Sequence, residues 1–79
     1  MSQTEEPKKR ILQELVELLE ELKRIGINRV DIYERPEGVS VVVGNVEYIY
    51  DALDIDDVQI ELVSHGYVVH REGNVLHVE

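Results

Sequence analysis

Asp51-Ala52-Leu53-Asp54-Ile55-Asp56-Asp57-Val58-Gln59-Ile60-Glu61-Leu62-Val63-Ser64-His65-Gly66 is the stretch on which the fold turns. Val58, Ile60 and Leu62 alternate with Gln59 and Glu61, as in a strand. Ile55, Val58, Leu62 and Val63 also recur at helical spacing, with Asp54 or Asp56 able to cap the start and Gly66 able to end it. An echo elsewhere in the chain decides between them. Glu21-Leu22-Lys23-Arg24-Ile25-Gly26 and Glu61-Leu62-Val63-Ser64-His65-Gly66 share the pattern Glu-Leu-x-x-x-Gly. Each precedes a strand signal, an Arg, a Glu-Gly turn and a Val-rich strand. The first copy closes the strongest helix in the chain, so the second is read as closing a helix over 54–65.

That first helix runs from roughly Pro7 to Ile25. Pro7 suits a first turn, Lys23 and Arg24 suit the negative end of the helix dipole, and Gly26 suits a C-cap. Ser2 or Thr4 is a candidate N-cap, and residues 1–6 read as a frayed tail. Glu5→Lys9, Glu6→Arg10 and Glu20→Arg24 are i,i+4 pairs in the favourable orientation. Ile11, Leu12, Leu15, Val16, Leu18, Leu19, Leu22 and Ile25 cover about half the circumference, whereas a core-facing helix needs a stripe of only about 100°. The surplus calls for a sheet that curls round the helix or for a second chain.

Between and after the helices lie the strands. Arg29 to Arg35 places Val30 and Ile32 on one face, and Pro36-Glu37-Gly38 supplies a turn in which Gly suits a positive φ. Val39–Val43 and Val46–Tyr50 flank Gly44-Asn45, a two-residue connection suited to a type II′ hairpin. Val39, Val41, Val43, Val46, Tyr48 and Tyr50 then share one face, and Ser40, Val42, Glu47 and Ile49 the other. Gly73-Asn74 repeats the device between Tyr67–Glu72 and Val75–Glu79. There the apolar face is Tyr67, Val69, Leu76 and Val78, opposite Val68, His70, Glu72, Val75, His77 and Glu79. The expected fold is α+β, in the order α-β-β-β-α-β-β, with one antiparallel sheet carrying both helices on one face. The 79 residues make a single domain with a small stability margin.

Composition restricts function. No run of apolar residues is long enough to span a membrane, and no secretory leader is visible at the acidic N-terminus. Without cysteine there are no disulfides or thiolate metal sites, which fits a soluble cytoplasmic protein. The net charge of −9 lies entirely after the first helix: residues 30–79 hold Arg35 and Arg71 against eleven carboxylates. Two cations are too few to neutralise a phosphate backbone, so direct nucleic-acid binding is not expected. The charge serves solubility or a basic protein partner.

Sites of chemistry are few. His70 and His77 fall opposite each other, with Glu72 or Glu79 near enough to complete a transition-metal site or a pH-responsive patch. Ordinary exposed strand histidines on a short hairpin are the simpler reading, as helix-end electrostatics are for His65. Asp51, Asp54, Asp56, Asp57 and Glu61 lack the central Gly and the spacing of a calcium loop, and helix capping explains them. Tyr33, Tyr48, Tyr50 and Tyr67 are interleaved with Val and Glu rather than Lys or Arg, which points to packing. Residues 61–78 resemble the last helix and wing of a winged-helix domain, which implies a nucleic-acid-associated regulator. The recognition-helix position carries no Lys or Arg, and residues 39–50 read as strands where that family has a helix.

No cofactor, catalytic group or metal is expected, and the chain reads as a non-enzymatic interaction or structural module. A homodimer or a protein partner would cover Leu12, Leu15, Val16 and Leu19 of the helix and Val42 and Ile49 of the outer sheet face. An alternative is a protein made to test a fold, since local rules agree throughout as they do in designed or thermophile chains.

Overall fold

The structure is a computed structural model describing residues 7–79. Helix α1 spans Pro7–Arg24, strands β1, β2 and β3 span Val30–Arg35, Gly38–Val43 and Val46–Asp51, helix α2 spans Ile55–Ser64, and β4 and β5 span Val69–Glu72 and Val75–Val78. The frayed tail, the Ser2 or Thr4 cap, and the Glu5 and Glu6 pairs lie outside the described residues.

Both helices end alike. Ile27 N–H donates to Leu22 C=O at 2.9 Å and Gly26 N–H to Lys23 C=O at 3.0 Å. Tyr67 N–H donates to Leu62 C=O and Gly66 N–H to Val63 C=O, each at 3.0 Å. These are paired Schellman closures, and Gly26 and Gly66 both sit at φ 91°, a conformation glycine adopts without steric cost. The shared Glu-Leu-x-x-x-Gly is therefore the same physical stop signal used twice. At its start α2 is capped by Asp54, whose side chain accepts from Asp56 N–H at 2.9 Å. Arg24 pairs with Glu21 at 2.7 Å instead of with Glu20, because the i,i+3 carboxylate lies within reach of the same guanidinium.

The sheet order is β3-β2-β1-β5-β4, with every neighbouring pair antiparallel. Within it, β2-β1 and β5-β4 are two helix–hairpin units laid side by side, so the sequence echo corresponds to a translation along the sheet. The winged-helix resemblance ends here. Among the described residues α1 leads directly into β1, and the hairpin after α2 is part of a five-stranded sheet.

Strand alternation delivers Val30, Ile32, Val39, Val41, Leu76 and Val78 to the inner face, where they meet Leu15, Val16, Leu19 and Leu22 of α1 and Ile55, Val58 and Leu62 of α2. None of these is more than 6% exposed. The broad stripe of α1 thus needs no second chain. Leu15 is fully buried, Val16 and Leu19 nearly so, and Ile11, Leu12 and Leu18 pack partly against the same core, leaving only Ile25 in the open, at 69% exposure. The expected interface role of Leu15, Val16 and Leu19 is corrected accordingly: α2 flanks α1, so two surfaces of the same chain divide the stripe between them.

Gly38 is also corrected. It does not take a positive φ but opens β2 directly after a Pro36-Glu37 turn, paired with Arg35 and with Asp51. A Cβ there would lie 2.2 Å from the Tyr50 carbonyl oxygen. The positive φ falls nearby on Ala52, at 69°, which donates its N–H to Glu37 C=O at 2.7 Å. Gly38→Ala is expected to cost about 2 kcal/mol through backbone displacement. Ala52→Gly, which relieves an L-residue of a left-handed conformation, is expected to raise stability by up to about 1 kcal/mol. Urea denaturation midpoints of the two variants check both signs.

Candidate functional site on the open sheet face

Both helices pack on one side of the sheet, and among the described residues nothing covers the other face. The strand registers set two rows across it, Glu47–Val42–Asp31–His77–His70 and Ile49–Ser40–Tyr33–Val75–Glu72. Ile49, Val42, Tyr33 and Val75 are direct or diagonal neighbours in this lattice and form an apolar strip. Ile49 is 56% and Tyr33 41% exposed, while Val42 and Val75 are half-buried. Beneath the strip Ser40 is fully buried, and its hydroxyl accepts from Arg35 Nη1 at 3.3 Å. Arg35 also donates to Glu47 at 3.0 Å, so one guanidinium roofs the serine and ties β1 to β3. Open depressions flank Val42, one lined by Tyr33, Arg35, Val46 and Glu47, the other by Arg29, Asp31, His77 and Glu79.

Of the residues expected at an interface, Val42 and Ile49 stand on this face, Leu12 is half-buried on α1, and Leu15, Val16 and Leu19 are core. Of the other aromatics, Tyr48 is 36% exposed and Tyr50 half-buried on the edge strand β3. The Tyr50 phenol is held above its ordinary pKa by burial first, then by Glu14 and Tyr48. Tyr67 is buried under Lys23, whose Nζ lies 4.6 Å from the ring centre.

His70 and His77 are opposite each other, as the two-residue turn requires, with ring centres 6.3 Å apart and planes inclined by 28°. Glu72, not Glu79, sits between them. Its Oε1 lies 3.2 Å from His77 Nε2 and its Oε2 3.5 Å from His70 Nε2. Glu79 turns instead to Arg29 at 3.5 Å. On the far side His77 Nδ1 lies 2.8 Å from Asp31 Oδ1, a contact across the β1–β5 pairing. The hydrogen bond to Asp31, with further help from Glu72, raises the His77 pKa above its ordinary value against a smaller opposing effect of burial. Among the described residues no group of three or more His, Cys, Asp or Glu side chains is placed to hold a metal ion.

The remaining expected residues scatter. His65 is the C-cap of α2, with Nε2 3.2 Å from Glu61. Asp54 caps, Asp56 accepts from Arg71 at 2.7 Å, and Asp51 ends β3, so the acidic run is not a cluster in space around one point. Arg71 additionally donates to Gln59 and to Gly73 C=O, fastening α2 to the β4–β5 turn. Asp31 was invisible to sequence reasoning as a partner of His77. Alternation puts it on the outer face, but only the non-local pairing of β1 with β5 makes it a neighbour.

Comparison with protein-family models, with curated proteins and with solved structures finds no match to this chain. No helix among the described residues is long and apolar enough to cross a membrane.

Two outcomes are expected of the histidine cluster. A histidine whose folded pKa is raised contributes stability that is fully present below its unfolded value, near 6.5, and is lost as pH climbs through the higher folded value. The wild-type urea midpoint should therefore fall on going from about pH 6 to about pH 8 more steeply than that of His77→Gln or Asp31→Asn. Zinc titration should leave the thermal midpoint nearly unmoved, which differential scanning fluorimetry checks.

Proposed function

We propose that this chain is a non-enzymatic binding module whose open sheet face receives a protein partner bearing an apolar ridge flanked by basic residues. One observation carries the reading: among the described residues the five-stranded sheet is covered on one side only, with Ile49, Val42, Tyr33 and Val75 adjacent on the other and Glu47, Asp31 and Glu72 at their borders. Apolar residues grouped on an open sheet face and rimmed by charge are the usual composition of a docking surface. Charge selects the partner's sign. Arg35 and Arg71 are each engaged with a carboxylate of this chain, and the overall charge is −9, so approach of a cationic surface is favoured and is screened by salt.

A synthetic peptide alternating Lys and Val supplies a probe of that chemistry. Titrated into the isotopically labelled chain, it should shift the amides of Tyr33, Val42, Ile49 and Val75 more than those of α1 and α2. Val42→Glu should weaken binding at least about tenfold, equivalent to about 1.4 kcal/mol, with the fold retained. Shifts spread evenly over all carboxylates, or an unchanged affinity in Val42→Glu, would overturn the reading. The repeated Gly-Asn turns and paired helix closures support a second reading, a protein made to hold a fold without a ligand. A thermal midpoint above about 90 °C together with no peptide response would select it.

A further inference from the structure

The two edges of the sheet are not equivalent. At one, β4 is four residues long, and Arg71 folds back from it onto α2 and the Gly73 carbonyl. At the other, β3 is six residues, Val46-Glu47-Tyr48-Ile49-Tyr50-Asp51, with no Pro, no Lys and no residue more than partly buried. A six-residue edge of this kind leaves a row of backbone groups able to pair with another strand, and proteins ordinarily block such edges with Lys, Pro or a bulge.

Which groups are free follows from the register. Val43 and Val46 close a two-residue turn, so Val46, Tyr48 and Tyr50 spend their backbone N–H and C=O on β2. The Ala52 N–H to Glu37 bond continues the same parity. Glu47, Ile49 and Asp51 therefore direct their backbone N–H and C=O outward.

We propose that β3 pairs antiparallel with β3 of a second copy of this chain, across a two-fold axis at Tyr48, joining the two sheets into one of ten strands. The side-chain pattern chooses both the occupant and the register. With Tyr48 on the axis, the tyrosines of the two copies meet, Val46 faces Tyr50 of the second copy, and Glu47 faces Ile49 of the second copy. The outward-directed backbone groups of Glu47 and Ile49 then form the hydrogen-bonded pairs of the new ladder. Moving the axis to Ile49 sets Glu47 against Asp51, and moving it to Glu47 sets that carboxylate against itself, both like-charge pairs that destabilise an antiparallel ladder. The Tyr48 register alone of these three is self-complementary, as an isologous interface must be. The β3 edge is distinct from the open face, because Val42 lies one strand in.

Two chains of charge −9 repel at long range, so this association is opposed by low salt and strengthened by screening, the reverse of the expectation for a cationic ligand. Sedimentation equilibrium over a concentration series at low and high salt tests it. Dimer formation is expected, with a dissociation constant that falls as salt is raised. Ile49→Pro removes an N–H that no internal strand uses, and Tyr48→Glu places two carboxylates on the axis; each should abolish the dimer with the circular dichroism spectrum retained. Should Ile49→Pro fail to fold, Tyr48→Glu alone suffices. In hydrogen exchange the amides of Glu47, Ile49 and Asp51 should gain protection with concentration, while those of Tyr48 and Tyr50 are protected throughout. Val42→Glu should leave the dimer intact, separating this edge from the docking face. A chain monomeric at millimolar concentration in high salt, or a dimer indifferent to both variants with those three amides unprotected, would overturn the proposal.

Discussion

The interaction on which the molecule depends is the burial of α1 and α2 together against one face of the sheet. Leu15, Leu62, Ile32, Val41 and Leu76 come from five different elements, and all are fully buried in one cluster. For 79 residues the margin between burial and conformational entropy is small, and both helices contribute to the same core. Placing both on one side satisfies the stripe of α1 from within. Among the described residues the same choice leaves the opposite face uncovered, and the proposed docking surface lies there.

On that uncovered face the polar groups form local networks. Arg35 joins Ser40 to Glu47, and Asp31, His77, Glu72 and His70 form a chain that crosses three strands. These contacts are solvent-accessible and individually weak, as surface pairs are. Their physical effect is to fix where charge sits relative to the apolar strip. The bond to Asp31 on the neighbouring strand holds the His77 pKa above its ordinary value.

The two ends of the sheet follow different logics. The β4 edge is short, and Arg71 is turned inward to α2, so backbone exposed there is limited. The β3 edge is six residues long, carries apolar side chains on both faces, and among its own residues has the two carboxylates Glu47 and Asp51 as charges. Those carboxylates do not seal the edge. They restrict which registers another strand can adopt.

Local rules in the sequence determined the helix ends, the two Gly-Asn hairpins, the inward and outward faces of each strand and the opposition of His70 to His77. Each of these is decided by hydrogen bonds and sterics within a few residues of chain: a Schellman stop at Gly26 and Gly66, a positive φ at Gly44 and Gly73, and strict alternation along a pleat. Gly38 misled for the same reason, because its role is set by the approach of the β3 backbone and not by its own turn. Tertiary structure alone decided that β1 lies between β2 and β5, that Asp31 thereby reaches His77, that α2 helps to close the stripe of α1, and that β3 is left at the edge. Pairing between strands distant in sequence carries no local signature; it is selected by the global requirement to bury two helices on one sheet.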